Sequence, residues 1–362
     1  MVEENSQRRG EQSLVCPEKA VVEAVVDTSQ LLAAVVDTSR GSPGRGLKRK
    51  LECVDAGTKI GIQKKFVDDF DLGRVIGEGV NGSVRLCTSK ANGVEFACKT
   101  LSKVDKKTDR QEIEIMQHLS GHPGVVTINA VYEDTDCFHL VMELCSGGDL
   151  FEQIVNNGPC SESQAALMFK ELIVVIKYCH EKGVVHRDIK PENVFLTSSG
   201  KMKLADFGLA AWITTGKLFG LVGSPVYVAP EVLVGDYSEK VDIWSAGVLL
   251  HVLLVGELPF QANTKEAIDE AHKKENLNIN SGIQETISRP ARDLLRRMLT
   301  RDASLRLSAD EVLRHPWFMC HTEQLWKPTS NKPKERKVLE DLSNQLASPK
   351  LEVNANKFCR AF

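Results

Sequence analysis

The chain has 362 residues, 42% of them hydrophobic, and its 46 lysines and arginines against 49 aspartates and glutamates give a formal charge of −3. That balance removes any global attraction to nucleic acid or to an anionic membrane, so partners must be recognised by local patches. Ten cysteines without C-x-x-C pairs and an N-terminus without an apolar core fit reduced thiols inside a cell. The longest apolar run, Ile243 to Gly256, is shorter than the ~18–20 residues that cross a bilayer, so a buried helix is expected there and no membrane insertion.

Residues 1–65 carry the hexapeptide AVVDTS twice, at Ala24–Ser29 and Ala34–Ser39, ahead of the Gly/Pro/Arg-rich SRGSPGRGLKRK. Two short copies are too few for a solenoid or propeller, so a flexible tail is predicted, with a weak strand pair or a docking peptide as alternatives. Lys48, Arg49 and Lys50 suit a solvated linker first and a nuclear signal second; the expected location is cytoplasmic, with nuclear entry as the variant.

From Phe70 the β-branched runs DLGRVIGEG, GSVRLCTS, VEFACKTL, VVTINAVYE and CFHLVMEL, broken by turn signals such as Ala91-Asn92-Gly93, predict strands. Beyond Gly148 apolar residues recur at steps of three and four in ESQAALMFKELIVVIKYCHEKG and RPARDLLRRMLTRD, which predicts helices. The expected fold class is α+β, spanning residues 70–318: a small β-rich lobe with one main helix, then a larger helical lobe. Residues 319–362 turn polar again, apart from a short amphipathic stretch through Val338, Leu339, Leu342 and Leu346.

The segment Gly77-Glu78-Gly79-Val80-Asn81-Gly82-Ser83-Val84 has the spacing G-x-G-x-x-G-x-V, in which glycines let backbone N–H groups approach phosphate oxygens. Dinucleotide turns and plain hairpins share such spacing, but strand-like residues on both sides favour a strand-turn-strand lid. Phe96-Ala97-Cys98-Lys99 then sets an ammonium in an apolar strand, where it either meets an anion or snorkels to a surface. Glu112 is the expected partner, at the head of EIEIMQHL with Ile115, Met116 and Leu119 turned to the core; Glu114 falls off that face. In His186-Arg187-Asp188-Ile189-Lys190-Pro191-Glu192-Asn193, Asp188 can orient a hydroxyl and accept its proton, Lys190 can stabilise a moving phosphoryl group, and Asn193 can ligate a metal. His180 is not half of a zinc pair, because Val184 stands four residues on. Asp206-Phe207-Gly208 adds a second oxygen ligand, Asp206. A phosphate cradle, metal ligands and an orienting carboxylate are together what phosphoryl transfer demands.

Across residues 70–318 these motifs, with Ala229-Pro230-Glu231 after them, resemble the eukaryotic protein kinases. The resemblance implies ATP and Mg²⁺ as cofactors and protein substrates. Ile76, Gly77, Gly79, Gly82, Val84, Ala97, Lys99, Glu143, Cys145 and Phe195 would then bind nucleotide, with Asn193 and Asp206 on the metal. It further implies a Met142 gatekeeper, a Glu143-Leu144-Cys145 hinge, a Glu231–Arg306 ion pair, an Asp242 anchor and a spine of Ile128, Met116, Phe207 and His186. Phe195 departs from the smaller aliphatic residue expected beneath adenine, which would narrow the pocket. A catalytically silent scaffold is the alternative, but its usual mark, loss of Lys99, Glu112, Asp188, Asn193 or Asp206, is absent.

Lys190 and Gly223-Ser224-Pro225 are similar to serine/threonine kinases and unlike tyrosine kinases. The strings EIEIMQHLSGHPGVV, LVMELCSGGDLF and VLRHPWF resemble plant calcium-dependent protein kinases, and the bare catalytic domain more so the related phosphoenolpyruvate carboxylase kinases. No D-x-[DN]-x-[DN]-G loop occurs, the start is Met-Val, and 44 residues follow 318, so neither direct calcium binding nor N-myristoylation is expected. Cys359 stands fourth from the end, but Arg360-Ala361 is not the aliphatic pair that prenylation prefers. A monomer is expected. Asp149 and Glu192 occupy positions that in basophilic relatives bind an arginine three residues before the acceptor. Gly220 stands where such kinases carry a phosphorylated or acidic residue facing Arg187, Thr214 and Thr215 lie nearby, and Ser224 is expected to bridge Asp188 and Lys190. A kinase active without activation-segment phosphorylation is the expectation.

Overall fold

Alternation with a period of two carries residues 70–143 into one antiparallel sheet. The computed structural model describes residues 65–79, 82–103, 106–214, 216–260 and 287–322. The AVVDTS repeats, Lys48–Lys50, the Val80-Asn81 tip, Thr215, the stretch 338–346 and Cys359 lie outside the described residues. After a short helix α1 (Phe66–Asp69), strands β1 (Phe70–Gly79), β2 (Gly82–Ser89), β3 (Glu95–Ser102), β4 (Ile128–Glu133) and β5 (Cys137–Glu143) form a sheet in the order β1-β2-β3-β5-β4. Gly82 has φ of 141°, and any Cβ there would lie 2.2 Å from the Thr100 carbonyl oxygen, so only glycine lets the β1–β2 hairpin lie this close to β3.

Register decides which side chains share a face. Cys98 stands against Arg85 and Val141, and its face joins Cys87, Tyr132 and Phe66 in a small apolar cluster. Lys99 stands against Val84 and Leu140 on the other face, where helix α2 (Lys106–His118) packs. Glu112, Ile113, Ile115 and Met116 of α2, with Leu119 just beyond it, are all buried, so α2 hides more of its circumference than the three apolar residues read from the pattern.

The helical half comprises α3 (Leu150–Asn157), α4 (Glu162–Glu181), α5 (Pro230–Val234), α6 (Lys240–Val255), α7 (Arg289–Met298), α8 (Ala309–Leu313) and α9 (Pro316–Thr322). Helix α4 starts at a Ser161/Gln164 capping box. The long apolar run becomes α6, buried from Val241 to Leu254 and central to the lobe. One core runs from Leu101, Met116 and Leu140 through Phe207 to Leu172, Leu250 and Trp317, which makes this an α+β fold of two lobes sharing buried surface. Ile128, Met116, Phe207 and His186 are all inside, and the His186 and Phe207 rings meet at 4.8 Å. Helix α9 runs past residue 318 to Thr322 because Glu162 accepts from Trp317 Nε1 at 2.8 Å and also meets His321 at 3.2 Å.

Arg306 is 1% exposed. Its guanidinium pairs with both Glu231 oxygens at 2.5 and 2.9 Å, donates to the Thr300 and Lys240 carbonyls, and lies 5.1 Å from the Trp244 ring. Removing one partner of a buried pair costs about 3–5 kcal/mol, a large part of the ~5–15 kcal/mol that holds a domain together. Glu231→Ala and Arg306→Lys are therefore expected to lower the urea midpoint sharply, the second because an ammonium cannot reproduce the guanidinium fork.

Candidate active site

Short strands β6 (Val184–Val185) and β9 (Ala211–Trp212) pair with each other, as do β7 (Val194–Leu196) and β8 (Met202–Leu204), and so frame the loop from His186 to Asn193. Asp242, on the first turn of α6, reaches that loop from below. Its carboxylate accepts from His186 N at 2.9 Å and Arg187 N at 2.8 Å, and meets His180 Nε2 at 2.8 Å. Burial would raise its pKa, but the His180 hydrogen bond and the nearby imidazole charges outweigh that and hold it below the usual carboxylate range. Arg187 has φ of 67°, a conformation costing about 1–3 kcal/mol, and the Asp242 clamp holds it there.

Asp188 is 7% exposed, and both its oxygens are engaged. Oδ1 accepts from Ser224 N at 3.0 Å and Ser224 Oγ at 2.8 Å; Oδ2 accepts from Asn193 Nδ2 at 3.0 Å and Lys190 Nζ at 3.0 Å. Lys190 also donates to Ser224 Oγ at 3.0 Å, so Ser224 does bridge Asp188 and Lys190. Asn193 is held by its own amide N–H, while its Oδ1 is buried without a hydrogen-bond partner.

Lys99, from the middle of β3, lies 2.8 Å from both Glu112 Oε1 and Asp206 Oδ1. Burial alone would lower its pKa, but Asp206 and then Glu112 outweigh burial and hold it above the usual lysine range. Asp206 is held low by Lys99 against burial, whereas burial keeps Glu112 raised. Asp206 has φ of 55°, so the backbone turns sharply just where its carboxylate enters the site. Asp206 and the orphaned Asn193 oxygen form an oxygen-only donor pair of the kind that Mg²⁺ uses when phosphates complete its shell. Among the described residues no group of three or more His, Cys, Asp or Glu is placed to hold a metal by itself, and a phosphate-borne Mg²⁺ needs none.

A cavity of about 440 Å³ opens beside this cluster, walled by Ile76, Val84, Ala97, Met142, Cys145 and Phe195 among others. Gly77, Gly79 and Gly82 sit in the β1–β2 hairpin itself, with Gly77 opposite Val84 and Gly79 opposite Gly82. The Glu143 carboxylate is committed elsewhere: it accepts from Thr127 N and from Lys203 Nζ, each at 2.6 Å. The Lys203–Glu143 pair was not legible in the sequence, since a lone lysine in a strand carries no signal until its partner is known. Phe195 lines the cavity without closing it. At its mouth, Asp149 caps α3 through Glu152 N at 2.8 Å. Glu192 Oε2 is buried without a hydrogen-bond partner.

A sheet lobe and a helical lobe joined by a hinge, with a buried lysine–carboxylate cluster at one end of the cleft, define a bilobal phosphotransferase. The protein kinase domain family model matches residues 70–318. The chain is 54% identical over 349 residues to the Serine/threonine-protein kinase PEPKR2 of Arabidopsis thaliana, covering 94% of this chain and 74% of that protein. It is 42% identical over 322 residues to Calcium-dependent protein kinase 10 of Oryza sativa subsp. japonica and 44% identical over 317 residues to Calcium-dependent protein kinase 29 of Arabidopsis thaliana. These alignments cover 86% and 83% of this chain, and the chain spans 51% and 58% of those proteins. The chain belongs to the protein kinase family and is of its serine/threonine type, as the motifs implied; that family uses ATP with Mg²⁺ and acts on proteins. No helix among the described residues is long and apolar enough to cross a membrane.

Lys99→Met, Asp188→Asn and Asp206→Ala are each expected to lower kcat by at least about a hundredfold in a radiolabelled ATP assay. Their circular dichroism should stay that of the parent. Near-parental phosphorylation by Asp206→Ala would contradict the assignment of this cluster.

Proposed function

We propose that this kinase moves the γ-phosphoryl group of ATP onto serine or threonine in protein segments carrying arginine three residues before the acceptor, and that it does so without a phosphate on its activation segment. The observation that carries the reading is the Asp188 network, in which every donor is already in place around one carboxylate while the Asn193 oxygen beside it is left free. Asp206 and Asn193 would hold Mg²⁺, which neutralises phosphate charge when bound. Asp188 accepts the hydroxyl proton as the phosphoryl group leaves, and Lys190, pinned beside it, offsets charge on that group. Lys99, oriented by Glu112, would meet the non-transferred phosphates of a bound nucleotide, and the hinge backbone from Glu143 to Cys145, which lines the cavity, would hold adenine. The free thiols of the described cysteines support a reducing compartment, the cytoplasm.

Substrate choice rests on Asp149 and Glu192. Burial pushes each carboxyl up to about 6, and Asp149 is itself one of the charges raising Glu192. Two crowded carboxylates, one with an unpaired buried oxygen, are the complement of a guanidinium. Both are partly protonated near pH 6 and ionised above it, and only the ionised pair attracts arginine. The KM for an Arg-x-x-Ser peptide is therefore expected to fall as pH rises from about 5.5 to 7.5. The double variant Asp149→Asn/Glu192→Gln should flatten that profile and the arginine preference together; a wild-type library selecting proline-directed or acidic peptides would refute the assignment.

Control of the activation segment is tested separately. Gly220 cannot carry phosphate, and Thr214 is exposed. Phosphatase treatment, and Thr214→Ala/Thr215→Ala, are expected to leave the rate within about threefold of the parent; a tenfold loss in either would show phosphorylation to be in control.

A further inference from the structure

Gly220 can offer Arg187 no phosphate, yet the guanidinium is not idle. Nε donates to the Leu209 carbonyl at 2.7 Å and Nη1 donates to the Tyr237 hydroxyl at 3.1 Å. That hydroxyl has one proton of its own, and it points at the activation segment: Gly220 O at 2.9 Å, with Phe219 O at 3.2 Å. The backbone of the same tyrosine exchanges two hydrogen bonds with Leu218, at 2.7 and 3.1 Å, and Lys217 pairs with Asp236 at 2.5 Å. Residues 217–220 are thus stitched to 236–237 just ahead of α6, the helix whose Asp242 already clamps the Arg187 amide.

We propose that Tyr237 is a positioning residue that takes the place of an activation-segment phosphate, relaying the Arg187 charge through its hydroxyl onto the Gly220 carbonyl. The proposal rests on the phosphate-independent activity argued above and supplies its physical cause. A phosphate would bind this arginine by charge. Tyrosine does it by a directed chain, cation to hydroxyl to carbonyl, in which each bond polarises the next. Tyr237 is 3% exposed, so water does not compete for the hydroxyl. The geometry carries on to the chemistry: Gly223 comes so close to the Arg187 carbonyl that a Cβ would lie 2.7 Å from it, and the next residue, Ser224, donates to Asp188. Losing the hydroxyl therefore frees the stretch that sets Ser224 and, through it, the orientation of Asp188.

The test is a cycle on the full chain. Tyr237→Phe is expected to lower kcat about tenfold with the KM for ATP unchanged, and to quicken tryptic cleavage after Lys217 while the thermal midpoint of the whole protein stays put. In an Arg187→Met background the same substitution should change neither kcat nor cleavage further, because the relay is already broken. Gly220→Asp in the Tyr237→Phe protein should recover most of the rate by giving Arg187 a carboxylate. Nothing lies within 4 Å of a Cβ at Gly220, and aspartate tolerates its φ of 98° better than most residues. Parental kcat and cleavage in Tyr237→Phe, losses that simply add to those of Arg187→Met, or no recovery with Gly220→Asp would each overturn the proposal. If the parent enzyme shows no transfer at all, the functional reading fails instead, and the cleavage cycle still reports whether the relay exists.

Discussion

An ammonium that is 2% exposed cannot stay charged unless anions meet it, and the rest of this molecule follows from how Lys99 meets them. One carboxylate, Glu112, comes from the helix beneath the sheet. The other, Asp206, comes from the segment between the lobes. The sheet lobe supplies one of the two anions and the segment after the catalytic loop the other, so the complete cluster forms only when the sheet, helix α2 and the start of the activation segment are in register. Gln111, one residue before Glu112, reinforces this by donating to the Ala210 carbonyl at 2.8 Å. The Lys99 cluster ties the sheet, helix α2 and the start of the activation segment together at one buried point.

Strain is placed beside that cluster and in the loop that carries Asp188. The described non-glycine residues with positive φ are Arg187 and Asp206, one on each side of the Asp188 network. Both would relax if the groups around them were removed, and both are over-determined: Arg187 by Asp242 and the tyrosine relay, Asp206 by Lys99. Backbone held in an unfavourable conformation by polar contacts is set before substrate arrives, so reorganisation is not charged to the chemical step.

Much of this was legible in the residues. Alternation from Phe70 to Glu143 and the change of period after Gly148 located both lobes, because burial on one face leaves its signature every two or every three to four residues. The polar site residues were legible for a different reason: Lys99 in an apolar strand, and Asp188 and Asn193 five residues apart, are arrangements that packing alone does not require. Glu143 with Lys203, and Arg187 with Tyr237, were not. Each of those pairs joins residues about fifty to sixty positions apart, and a lysine in a strand or a tyrosine in a loop is ordinary until its partner is seen. The extension of α9 past residue 318 was hidden likewise, since the Glu162 contact that stabilises it comes from the far end of α4.

Unsatisfied atoms finish the argument. A folded chain buries few polar groups without partners, because each costs about 1–3 kcal/mol. Two stand on the same short segment here, Glu192 Oε2 and Asn193 Oδ1, and adjacent side chains in a tight turn point in different directions. The asparagine side chain is held against Asp188 by its own Nδ2, and the glutamate carboxylate feels the Asp149 charge. One turn of 3₁₀ helix, Pro191–Asn193, thus carries both of the atoms on which the proposed metal and arginine contacts rest.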